Sequence, residues 1–164
     1  MKTLITFLCC LLITQMSAET IRNVEYYLPQ NAQDWQIGNK LENEKGTTIV
    51  YIPNGSHGQE THEFFGVNAN HQPLDINDTA SLKAALSKTF PNIDIDIQVL
   101  EKSNSGTIYE WTAKENGKEL AHGWVRSFAA NGGTVVMSYQ TGNIDDVHNA
   151  RDTWLPALKN ARLK

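Results

Sequence analysis

The chain has 164 residues, with 14 Lys and Arg against 18 Asp and Glu, a formal net charge of −4. A modestly acidic chain without a Lys/Arg stripe has nothing to draw in phosphates, so nucleic acid is not an expected partner. The two cysteines are Cys9 and Cys10, and both fall in a leader expected to be removed, which excludes disulfides, thiolate nucleophiles, Cys-ligated zinc and Fe–S clusters from the remainder.

That leader is Met1-Lys2-Thr3, an apolar run from Leu4 to Ile13, and Thr14-Gln15-Met16-Ser17-Ala18 ahead of Glu19. One positive charge, a short apolar stretch and a small residue before the cut read as a signal peptide over 1–18, cleaved after Ala18. Cys9 and Cys10 follow bulky neighbours, against lipidation. No later stretch approaches about 18 apolar residues, so no transmembrane segment is expected in the mature chain. The chain is therefore expected to be exported, to a periplasmic or extracellular location, with residues 19–164 forming one domain. Two sequons, at Asn54 and Asn77, carry little information in a chain this rich in Asn.

Tyr26 to Pro29 and Asp34 to Gly38 read as an entry segment into a first strand. Thr47 to Ile52 reads as a second strand, stopped by Pro53-Asn54-Gly55, and Thr61 to Val67 as a third. Asp78 or Thr79 can cap a helix over Ala80 to Phe90, where Leu82, Ala85, Leu86 and Phe90 recur on one face and Pro91 ends the run. Ile93 to Val99 alternates apolar and polar, the pattern of a strand with one buried face. Asn116-Gly117 suits a two-residue hairpin turn joining 107–113 to 120–128, and Asn131-Gly132-Gly133 a second turn into 134–140. A last amphipathic helix is expected over 144–162, with Val147, Arg151, Trp154, Leu155 and Leu158 on one face and Asn143 or Asp145 at its start; Pro156 is discordant inside it.

Three strands, a helix, four meandering strands and a terminal helix define an α+β fold: an antiparallel sheet of about six or seven strands packed with an internal and a C-terminal helix. The order, with Leu28-Pro29 and Trp35 early and Val135-Val136-Met137-Ser138-Tyr139 feeding the last helix, resembles the Mog1/PsbP-like fold group. The resemblance covers most of the mature chain. It implies a non-enzymatic binding or assembly factor, in a group where some members take a hydrophobic ligand or a metal. It carries no particular binding residue over.

With two-residue turns in both hairpins, one sheet face would carry Tyr109, Trp111, His122, Trp124, Arg126, Phe128 and Tyr139. The opposite face would carry Ile108, Thr112, Ala121, Val125, Ser127 and Val136, small enough for a helix to pack closely. Two readings of the aromatic face follow. It is core, with His122 hydrogen-bonded and Arg126 paired, or it lines a pocket for a ligand anchored by His122 and Arg126. A bulge at Gly133 would move Tyr139 to the other face.

His57-Gly58-Gln59-Glu60-Thr61-His62-Glu63 brings zinc or copper ligand types together at a loop, with His57 and His62 as the candidate metal pair. Gly66 stands where the zincin helix motif needs its second His, which excludes that metalloprotease class. Asp94 and Asp96 read as the exposed face of a strand. No nucleophile elbow, phosphate loop or cofactor motif is present. The expected function is an exported non-catalytic binding or assembly module of the cell envelope, with a protein or small apolar ligand as partner. Two alternatives are a secreted effector or inhibitor docking on another protein, and a small hydrolase drawing acid–base residues from Glu60, His62, Glu110 and His122.

Overall fold

The structure, a computed structural model, describes residues 18–57, 61–73, 75, 78–89 and 92–164. Residues 1–17 of the expected signal, the loop residues 58–60, Asn77 of the second sequon, and Phe90-Pro91 at the expected helix end lie outside the described residues. Among the described residues no helix is long and apolar enough to cross a membrane.

A seven-stranded antiparallel sheet organises the fold, in the order β3-β4-β5-β9-β8-β7-β6. Its strands are β3 (Gln36–Asn43), β4 (Gly46–Ile52), β5 (Glu63–Asn70), β6 (Asp94–Ser103), β7 (Gly106–Glu115), β8 (Lys118–Ala130) and β9 (Gly133–Thr141). Helix α1 (Thr79–Thr89) connects β5 to the β6–β9 meander, and α2 (Val147–Asn160) follows β9. A second, three-stranded sheet joins β1 (Ala18–Ile21), β2 (Val24–Tyr27) and β10 (Arg162–Leu163). Its strands are too short to leave a periodic signature, and they have no counterpart among the sequence expectations.

Local chemistry explains the element boundaries. Asn116 (φ 51°) and Gly117 (φ 79°) make the turn between β7 and β8, and Asn131 (φ 39°) and Gly132 (φ 74°) that between β8 and β9, residues chosen because both positions need positive φ. Asp78 Oδ1 accepts from the amides of Ala80 (3.0 Å) and Ser81 (3.1 Å), capping α1. A 3-10 turn over Ile144–Asp146 precedes α2, so the helix proper starts three residues later than the sequence pattern suggests, and it runs through Pro156.

The large sheet buries both faces. On one, Phe65, Val67, Trp124, Phe128, Val135, Met137 and Tyr139 pack with Trp154 and Leu158 of α2 and with Val24 and Tyr26 of β2. On the other, Ile95, Tyr109, Trp111, Ala113, Ala121 and Val125 pack with Leu82 and Leu86 of α1. The alternation in β6 decides which side each residue takes: Ile95 is buried toward α1, while Asp94 and Asp96 are exposed.

Candidate functional site

The second hairpin has the expected register, pairing Trp124 with Tyr139, Arg126 with Met137 and Ala130 with Gly133, so no bulge displaces Tyr139. The first does not. Glu115 faces Lys118 and Lys114 faces Glu119, but Ala113 then faces Ala121, leaving Leu120 as an extra residue in β8. Beyond that bulge the pairs are Thr112–His122, Trp111–Gly123, Glu110–Trp124 and Tyr109–Val125. The expected opposition of Trp111 with His122 and of Tyr109 with Trp124 is thus corrected by one residue, which sends Tyr109 and Trp111 to the α1 side. His122, Trp124, Arg126 and Tyr139 remain together on the α2 side, joined there by Ile108, Glu110 and Thr112.

The α2-side residues form core. The rings of Trp124 and Tyr139 stack at 5.9 Å between centroids, and Tyr139 stacks on Trp154 at 4.5 Å. The Tyr139 hydroxyl donates to Glu63 Oε1. Burial first, and that carboxylate second, push the phenol above its ordinary pKa. Arg126 reaches the C-terminal end of α2, donating through Nη1 to the carbonyls of Leu158 (3.0 Å) and Lys159 (2.8 Å), with its guanidinium 4.5 Å above the Phe128 ring.

His122 lies between two carboxylates, with Nδ1 2.7 Å from Glu119 Oε1 and Nε2 3.0 Å from Glu110 Oε1. The same Glu110 oxygen accepts from Trp124 Nε1 at 2.9 Å, and Arg151 of α2 stands 3.7 Å from it. Both His122 contacts are hydrogen bonds when the ring carries two protons, or when one carboxyl carries one. The cluster borders a shallow cavity of about 340 Å³ with Asp96 and Lys114, which pair at 3.1 Å. Of the four acid–base residues named from sequence, the fold brings Glu110 and His122 together. His62 is exposed at the start of β5, where its carbonyl accepts from Gly142 N at 2.7 Å, and Glu60 lies outside the described residues. A proton moving on Glu110 or His122 would do so at the expense of contacts that hold Trp124 and α2.

His57 and His62 flank the undescribed loop residues 58–60. Among the described residues no group of three or more His, Cys, Asp or Glu is placed to hold a metal ion.

A second cavity of about 340 Å³ opens on the α1 side. Leu82 and Ala85 of α1 form one wall, and Tyr109, Val125 and Val136 of the sheet the other. It exists because this face of β8 and β9 carries small side chains, Val125, Ser127 and Val136, while α1 makes its main contact with β6 at the sheet's edge. Ser81, Ser127 and Thr134 supply hydroxyls, and Asp75 and Asp78 stand in the lining. Burial raises the Tyr109 phenol above its ordinary pKa, a hydrogen bond with Thr107 partly offsets this, and the charges of Asp75 and Asp78 add to the rise. The sequence reading placed Val125, Ser127 and Val136 on a helix-packing face, which they are. That the helix would sit to one side and leave space had no signal in periodicity.

An antiparallel seven-stranded sheet with one helix on each face, the second C-terminal, is the PsbP-like fold, and the comparison with solved structures shows it. Cyanobacterial PsbP (CyanoP) from Synechocystis sp. PCC 6803 matches with a TM-score of 0.60 at 10% identity, over 92% of this chain and 92% of that one. LpqN, involved in cell envelope biogenesis of Mycobacterium tuberculosis, matches with a TM-score of 0.40 at 10% identity, over 92% of this chain and 86% of that one. At these identities the likeness defines the fold alone. No sequence-family model matches the chain, and no curated protein sequence does.

Proposed function

We propose that the chain is an exported, non-catalytic binding module of the cell envelope, and that its ligand is a small apolar or ring-bearing molecule held between α1 and the sheet. The observation that carries this reading is the α1-side cavity. Its volume of about 340 Å³ falls at the lower end of the range for small-molecule sites, and its walls are aliphatic and aromatic with a few polar groups, three hydroxyls besides the Tyr109 phenol and the carboxylates of Asp75 and Asp78, the usual composition of such sites. Export rests on the leader at 1–18. The absence of catalysis rests on Glu110 and His122, the adjacent acid–base pair, being committed to Trp124, Glu119 and Arg151.

The test is titration of residues 19–164 with 4-phenylbutan-1-ol, followed by amide chemical shifts. Saturable shifts centred on Leu82, Tyr109 and Val125, lost in Ala85→Trp, support the reading. No shift at these positions overturns it. Fractionation of the native host, with and without residues 1–18, tests export: retention of the full chain in the cytoplasm sinks that part.

A further inference from the structure

We infer that the ligand of the α1-side cavity carries a cationic group, an amine or quaternary ammonium, on its apolar body. This rests on the cavity being the ligand site, and adds the charge of its occupant. Two carboxylates, Asp75 and Asp78, belong to the lining, and among the described residues no Lys, Arg or His does. Both are close enough to Tyr109 for their charge to act on its phenol. Asp78 stays ionised because the Ser81 hydroxyl and the Ser81 and Ala80 amides all donate to it, holding its pKa below the ordinary carboxylate value.

The start of α1 also belongs to this lining, and a helix N-terminus by itself favours an anion. Here that preference is cancelled internally. The amides of Ala80 and Ser81, which an anion would use, already donate to Asp78 Oδ1. A full carboxylate charge at this position outweighs the roughly half charge of the helix end, and Asp75 adds a second. An apolar anion would meet occupied donors and two like charges. An apolar cation would meet two carboxylates beside Tyr109, whose ring face attracts cations.

Three probes of one shape and different charge separate the possibilities: 4-phenylbutylammonium, 4-phenylbutan-1-ol and 4-phenylbutyrate, each titrated into residues 19–164 at neutral pH. The ammonium is expected to bind about tenfold more tightly than the carboxylate, with the alcohol between them, and added salt should shrink the difference. Asp75→Asn, which leaves the α1 cap intact, should reduce the preference of ammonium over alcohol about threefold. Equal affinities, or tightest binding by the carboxylate, overturn the inference while leaving an apolar site. Binding by none of the three overturns the cavity reading itself.

Discussion

Trp111 lies against Gly123 so closely that a Cβ built on the glycine would come within 2.6 Å of the indole Nε1, and within 2.6 Å of the Tyr139 carbonyl oxygen on the other side. The pairing exists because Leu120 is bulged out of β8, so Gly123→Ala tests that bulge directly. Neither the backbone carbonyl nor the buried indole can yield without displacing the sheet. The substitution should cost about 1–3 kcal/mol, the range for overpacking a core, read as a lower urea midpoint at unchanged m-value. With Trp111 opposite His122 instead, the indole would not stand against Gly123, and a cost near zero would contradict the register.

Glu110 is the acceptor on which the α2-side polar cluster turns. Glu110→Ala leaves the indole N–H of Trp124, which is fully buried, without its acceptor and His122 without one of its two partners. A buried donor left unsatisfied costs about 1–3 kcal/mol, and denaturant titration should show that loss. Because His122 and Glu110 share one contact, the double variant with His122→Ala should lose less than the sum of the two singles, by about 0.5–3 kcal/mol. Simple additivity would mean that the two side chains do not interact.

These two clusters also mark how far the sequence could be read. The alternation of Ile93 to Val99, the two Asn-Gly turns and the helical spacing of Leu82, Ala85 and Leu86 are local signals that locate β6 to β9 and α1, as the Pro53-Asn54-Gly55 stop and the spacing of Val147, Trp154 and Leu158 locate β4 and α2. Of β3, the sequence marks only the entry at Asp34 to Gly38, against an observed strand over Gln36–Asn43. The bulge at Leu120 is one residue beside a correctly placed turn. Period-2 reasoning carries that single residue forward to every later pair, so it exchanged the faces of Tyr109 and Trp111. Gly123, the smallest residue in the middle of β8, was the available sign that something bulky stood opposite. Strands β1, β2 and β10 stayed hidden for a different reason: they span four, four and two residues, and β10 is fixed by pairing with a distant β2. The α1-side cavity was legible only as small side chains on one face.

Arg126 joins the sheet to the end of α2, and its removal should be felt in the helix. Arg126→Lys keeps the charge, but its ammonium sits on a shorter stem and has no planar guanidinium to lie over the Phe128 ring while one nitrogen, Nη1, donates to the carbonyls of Leu158 and Lys159. Hydrogen bonds to a charged group are worth about 1.5–3 kcal/mol, and a loss of that order is expected for Arg126→Met, less for Arg126→Lys. Amide hydrogen exchange should accelerate first in the last turn of α2. Exchange rising only in β8 would argue against the capping role.

In acid, stability should depend on Glu25. Its carboxylate accepts from Tyr27 Oη at 3.0 Å and from Arg162 at 3.1 Å, with Lys164 3.6 Å away. The Tyr27 hydroxyl, ahead of Arg162 and Lys164 and against partial burial, holds its pKa below the ordinary glutamate value. A depressed folded-state pKa contributes stability above the unfolded value of about 4.3 and loses it as pH falls through the folded one. Glu25→Gln should therefore narrow the difference in melting temperature between neutral and acid pH. An unchanged acid limb would remove Glu25 from the account.

At the alkaline end the sign reverses, because two buried phenols must stay neutral for the core to hold. Tyr26 is raised by burial and by its 3.0 Å contact with Tyr51 Oη, and Tyr139 by burial and Glu63. A raised folded-state pKa gives stability that is complete below the unfolded tyrosine value of about 10 and is lost as pH rises above it. In a pH titration followed by phenolate absorbance, both tyrosines should ionise only together with unfolding, in the same steep transition seen by circular dichroism. Tyr139→Phe removes one of these ionisations but leaves Glu63 without its donor, so it should lower stability at neutral pH while flattening the alkaline loss. Ionisation of every tyrosine with the fold intact would show that the Tyr26 and Tyr139 hydroxyls are open to solvent, contrary to their burial in the core that α2 and β2 share with the large sheet.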